Sequence, residues 1–169
     1  MIFKLKGSVD ISLLNQIRSS WNKNERKITK EISLLTGISI ETDSIVCYLD
    51  NSTTNGYYGS RTITLGVKGT ITKDDALMVI AHELFHIYYW RKIKKMKLTN
   101  SSPGNESKKE WKIAEVSAFL LTSEPCLMKH WPKAKVYVYP EITDTYKKMK
   151  SYWKIGDFDK FIRLSYATR

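Results

Sequence analysis

Val79-Ile80-Ala81-His82-Glu83-Leu84-Phe85-His86-Ile87-Tyr88 is the stretch from which the rest of the chain can be read. It places His-Glu-x-x-His inside an almost unbroken apolar run from Ala76 to Trp90. Such a run, without Gly or Pro, predicts a buried helix. On a helix, residues four apart share a face, so His82 and His86 can aim two imidazole nitrogens at one ion. Glu83 stands about 100° further round, at roughly 3.6 residues per turn. It is off the ligand line but within reach of a water beside the same ion.

By chance the bare pattern occurs in on the order of one chain in a few hundred of this length, so the flanks carry the weight. Positions 79, 80, 81, 84, 85, 87 and 88 are uncharged and mostly apolar. Two His and a Glu in such surroundings are costly unless something satisfies them. A Zn²⁺ ion does so, and two of the chain's three His are spent here.

A catalytic zinc commonly has three protein ligands and one open position. Positions 89 and 92 are Tyr and Lys, so the longer Gly- and His-containing metzincin pattern is absent. The third ligand is then a carboxylate. Glu115 is the candidate, because its helical neighbours Trp111, Ala118 and Phe119 are apolar and its charge needs a buried counterion. Glu106 and Glu110, beside Asn105, Lys108 and Lys109, read as solvated, and Glu124 precedes a proline at a helix end.

The motif of residues 79–88 together with Ala114-Glu115-Val116-Ser117-Ala118-Phe119 resembles the gluzincin class of zinc metallopeptidases. The compact minigluzincins and the ImmA/IrrE-like peptidases are the most similar kinds. The resemblance covers roughly residues 45–125. It departs at Val116-Ser117, where the ImmA-like pattern has Ala-Asn, and at Phe85, where a Gly is common. It implies an α+β, compact zincin-like fold: a small mixed sheet packed on an N-terminal helix, an HExxH helix and a Glu-bearing helix, with additional C-terminal helices. It also implies peptide-bond hydrolysis. His82, His86 and Glu115 are then the zinc ligands and Glu83 is the general base, acting on a peptide or protein substrate. Strand 61–67 is expected to be the edge along which the peptide lies. An oxyanion donor is still needed, and His130, Tyr137, Tyr139 and Tyr146 are all open choices.

Size and composition bound the alternatives. The chain has 169 residues, 42% of them hydrophobic, which suits one globular domain. No apolar run reaches the length of a membrane span. The start, Met1-Ile2-Phe3-Lys4-Leu5-Lys6-Gly7, has no apolar signal region, so a cytoplasmic location is expected. Cys47 and Cys126 form no Cys-x-x-Cys pair. They suit a reducing compartment, although one disulfide between them is compatible with the sequence.

The net charge is +11, from 28 Lys+Arg and 17 Asp+Glu, with clusters at 91–97, 108–109 and 147–150. Charge of this kind supports weak, sequence-independent nucleic-acid binding that fades with salt. It leaves a second reading, a zinc-binding but non-proteolytic regulator that binds nucleic acid or an acidic protein through these clusters. Such a regulator has no use for Glu83, so that residue favours an enzyme. The sequence assigns no oligomeric state.

The remaining pattern supplies the frame. A strand is expected at 2–5. A helix from about 11 to 36 is capped by Asp10 and Gly37, with a break allowed at 22–24. Strands at 45–49 and 61–67 flank a loop at 50–60. Thr72 and Asp75 start the His-bearing helix. After a polar loop at 98–108 comes the Glu-bearing helix to 122, a short strand at 136–139, and two terminal helices at 141–153 and 157–166.

Overall fold

The computed structural model describes residues 1–169 except Thr70, Ile155, Thr168 and Arg169. Strand β1 (Ile2–Lys6) leads into α1 (Ile11–Thr36), a single uninterrupted helix. Its apolar residues Leu14, Ile17, Trp21, Ile28, Ile32 and Leu35 are buried. The Asp10 side chain accepts from the Ser12 N–H at the start. At the end Gly37, at φ 64°, donates its N–H to the Ser33 carbonyl. That left-handed cap is the reason for a glycine there.

Helix α1 returns the chain to β2 (Val46–Asp50), which pairs parallel with β1. A helix is the usual way to make this parallel connection. The chain then crosses to β3 (Gly56–Tyr58) and doubles back into β4 (Thr62–Gly66), giving the sheet order β1-β2-β4-β3. Cys47 and Leu49 of β2 stand opposite Ile63 and Leu65 of β4, and all four are buried on one face.

Two sequence expectations change here. The segment read as a loop at 50–60 contains β3. The expected edge strand at 61–67 is interior, because β4 pairs parallel with β2 and antiparallel with β3. The edge is β3.

Helix α2 (Lys73–Lys95) packs on the sheet and against α1 and α3 (Lys108–Thr122). Thr72 and Asp75 close a full capping box at its start. Every residue from Ile80 to Trp90 is buried, as the apolar run predicts. Ser107 and Glu110 cap α3 in the same way. Glu110 also accepts from Ser101 at 3.1 Å and from Thr99, so it is not simply solvated. Burial would raise its carboxyl, but these hydroxyls and the Ser107 N–H hold it down at about 2.

The chain ends in three helices, α4 (Pro125–Met128), α5 (Thr143–Lys150) and α6 (Phe158–Ala167), with a 3-10 turn at Pro140–Ile142. Glu124, just before α4, is buried and accepts from the Trp153 indole N–H. The expected strand at 136–139 does not form. The Lys133 N–H bonds Asp74 at 3.0 Å and the Lys135 N–H bonds Asp75 at 3.2 Å. The segment is thereby pinned across the start of α2 instead of beside a strand. Among the described residues, no helix is long and apolar enough to cross a membrane.

Both cysteines are free thiols, Cys47 inside β2 and Cys126 half-buried on α4. Burial pushes the Cys47 thiol up to about 12. Since the thiolate is the reactive form, a thiol reagent applied to the folded protein should modify Cys126 alone, and both residues only after denaturation. Mass spectrometry of the labelled protein checks this; an intact disulfide would block both.

Candidate metal centre

His82 and His86 lie one turn apart on the buried face of α2, and Glu115 approaches from α3. The loop at 98–107 lets α3 cross back so that its middle meets the middle of α2. The His82 and His86 Nε2 atoms are 3.0 Å apart. His82 Nε2 is 3.3 Å from Glu115 Oε2, and His86 Nε2 is 3.3 Å from Glu115 Oε1. These residues form the one group of three or more His, Cys, Asp or Glu among the described residues whose ligand atoms lie within 4.8 Å of one another.

The triangle can be tested against an ion. Ligands about 2.0–2.1 Å from a tetrahedral zinc lie roughly 3.3–3.4 Å apart. Separations of 3.0, 3.3 and 3.3 Å come within a few tenths of that. Two facing imidazole nitrogens can share at most one proton, so a cation between them and the carboxylate satisfies all three at once.

The surroundings hold these groups still. The Tyr58 ring stacks on His86 at 4.7 Å, and Phe119 meets His82 edge-on at 4.8 Å. Trp90 donates to the Tyr58 hydroxyl at 2.8 Å. His86 Nδ1 is buried and makes no hydrogen bond among the described residues, so stacking orients this ring.

Glu83 is 8% exposed. Gly56 of β3 lies directly against it: a Cβ at position 56 would fall 2.5 Å from Glu83 Oε1 and 2.7 Å from Val79 Cγ1. The missing side chain is what lets the edge strand approach the carboxylate. Two clefts meet at Gly56, Glu83 and Tyr139. One, of about 650 Å³, also includes Tyr58, Trp111 and Glu115; the other, of about 390 Å³, includes His82, Phe119 and Tyr137.

The two carboxylates titrate in opposite directions. Burial pushes Glu83 up to about 7, with the charge of Glu115 adding to it and that of His82 opposing it. Burial would also raise Glu115, but its hydrogen bonds to His82 and His86 and their charge hold it well below the usual carboxylate range. In the metal-free protein one carboxylate is pushed towards its neutral form and the other is held anionic.

The structure therefore brings together all four residues singled out in the sequence, His82, Glu83, His86 and Glu115. The four oxyanion candidates separate. His130 is remote, its ring nitrogens 3.3 Å from Asn24 Oδ1 and 3.0 Å from Glu31 Oε2. Tyr146 is on α5 and lines neither cleft. Tyr137 reaches one cleft, and Tyr139 reaches both. Gly56 and Tyr58 carry no sequence signal strong enough to find them, since three residues are too few to show a period. No family model matches the chain, and no curated protein and no solved structure was found similar to it.

A stability prediction follows from Glu83. Its folded-state pKa of about 7 lies above the unfolded value of 4.5. Its ionisation therefore destabilises the fold at high pH, and the penalty fades as pH falls from about 7 towards the unfolded value. In metal-free protein, Glu83→Gln should be more stable than wild type by about 2–3 kcal/mol at pH 8. The gain should fall below about 1 kcal/mol by pH 5. Urea unfolding with a chelator present, at both pH values, measures the difference.

Proposed function

We propose that this chain is a zinc-dependent peptidase of the gluzincin type, with a compact zincin-like fold, acting on peptide or protein substrates in the cytoplasm. One observation carries the reading. Three donor atoms from α2 and α3 converge at 3.0–3.3 Å in an apolar interior, beside the buried carboxylate of Glu83.

His82 Nε2, His86 Nε2 and the Glu115 carboxylate would hold the ion. A bound zinc would supply Lewis acidity, able to polarise a carbonyl and to acidify water near neutral pH. Glu83, which lines both clefts, would accept a proton from a water there and pass it to the leaving amine. It is buried beside the two His, and its carboxylate is in reach of a water and a substrate in those clefts.

Strand β3 positions the substrate. Among the described residues it pairs with β4 alone, and Gly56, Tyr57 and Tyr58 line the cleft. An extended peptide can add its main chain along that edge. Tyr139 is the donor best placed for the carbonyl oxygen. Burial, together with the charges of Glu115 and Glu83, pushes its phenol up to about 12, so it keeps its proton throughout the working range.

Protein purified without added metal should hold one zinc per chain by elemental analysis. Glu115→Gln should weaken that binding markedly in a titration against a chromophoric chelator, whereas Glu110→Gln should barely change it. Glu83→Gln should retain zinc and lose at least about a hundredfold in peptide hydrolysis, since positioned acid–base groups contribute roughly 10²–10⁴. Tyr139→Phe should cost kcat about a hundredfold if it donates to the oxyanion. A wild-type protein that holds zinc yet cleaves nothing in a broad peptide mixture contradicts the reading.

A further inference from the structure

Glu106 has no part in the reaction just described, yet it faces the same cleft. It immediately precedes Ser107, the N-cap of α3, and stands in the wall of the 650 Å³ space with Tyr58, Trp111 and Pro103-Gly104. Its Oε2 atom is buried and accepts no hydrogen bond among the described residues. The contrast with Glu110 is direct. Glu110 is satisfied by Ser107 and Ser101 at 2.8 and 3.1 Å. Lys109, three residues on, is turned to the Tyr166 carbonyl at 2.9 Å. No ion pair of Glu106 occurs among the described residues.

A desolvated carboxylate oxygen without a donor is unfavourable in the free protein. A cation entering the cleft relieves it. The neighbours suit one: Tyr58 and Trp111 offer aromatic rings, to which cations are attracted. The charge of Glu106 already reaches Tyr58, where it adds to burial in keeping that phenol protonated. The other two carboxylates of the cleft, Glu83 and Glu115, are committed to the water and the ion. Glu106 is the one left to meet the substrate.

We propose that Glu106 is a specificity residue that receives a cationic group of the peptide, a lysine or arginine side chain or a free α-amino group, in the cleft shared with Tyr58 and Trp111. This rests on the peptidase reading for the identity of the ligand. The net charge of +11 repels a cationic peptide at long range. A preference for a cation must therefore arise inside the cleft, where screening by salt is weakest.

The test reads binding, in the Glu83→Gln background so that no peptide is consumed. Neutral peptides of one length, labelled at the C-terminal end, carry a single Lys moved stepwise along the sequence, with norleucine as the uncharged control. Each is made with a free and an acetylated N-terminus and titrated by fluorescence anisotropy in about 0.15 M salt. At one position Lys should bind at least about tenfold tighter than norleucine. The double variant Glu83→Gln/Glu106→Gln should bring that gap within about twofold, and Glu106→Lys should invert it. A gap that follows the free amine instead of the Lys position identifies the α-amino group as the cation.

Equal binding of every charged and uncharged pair overturns the proposal, as does a preference that survives Glu106→Gln. A cation preference lost with Glu106, in a wild-type protein that cleaves nothing, supports this site while overturning the peptidase reading. Hydrolysis by wild type without any cation preference does the reverse.

Discussion

Two imidazole nitrogens and a carboxylate held 3.0–3.3 Å apart inside an apolar interior form the constraint on which this structure depends. Such an arrangement is expensive without a cation. The elements around it are arranged to maintain it. Helix α2 is buried around its whole middle, so its two His cannot turn to solvent. Helix α3 delivers Glu115 from a separate part of the chain, started by its own capping box. Tyr58 and Phe119 clamp the two rings from opposite elements.

The second feature is a strand edge that reaches the buried carboxylate of Glu83. The sheet order β1-β2-β4-β3 places the last-paired strand, β3, at the border nearest α2. Gly56 removes the one side chain that would collide with Glu83. Burial then does different things to neighbouring acids. Glu83 has no close donor among the described residues and is pushed up to about 7, while Glu115 is held anionic by two His. The same residue type is thus driven in opposite directions within one site.

Much of this was legible in the chain. The spacing of His82 and His86, the apolar flanks and the isolation of Glu115 on an apolar face follow from helical geometry and the cost of burying charge. Caps at Asp10, Gly37 and Thr72 marked the helices because each satisfies specific backbone groups. The strands at 46–50 and 62–66 announced themselves through β-branched residues and alternation.

What escaped did so for physical reasons. Strand β3 is three residues long and sits among Asn, Ser, Thr and Gly, where local composition favours a loop. The edge position of a strand is a property of the pairing order, which local pattern does not encode. Val136-Tyr137-Val138-Tyr139 has strong strand propensity, but Asp74 and Asp75 take the N–H groups just before it, and tertiary contacts override the propensity. Glu110 read as solvated because its acceptor role depends on Thr99 and Ser101 folding back onto it. His130 was a candidate only until α1 supplied Asn24 and Glu31. The central claim is that His82, His86 and Glu115 surround a zinc ion, and X-ray absorption at the zinc edge tests it most directly. The account predicts a first shell of nitrogen and oxygen at about 2.0–2.1 Å with imidazole scattering and no sulfur. A sulfur shell at about 2.3 Å, or a spectrum unchanged in Glu115→Gln, would contradict it.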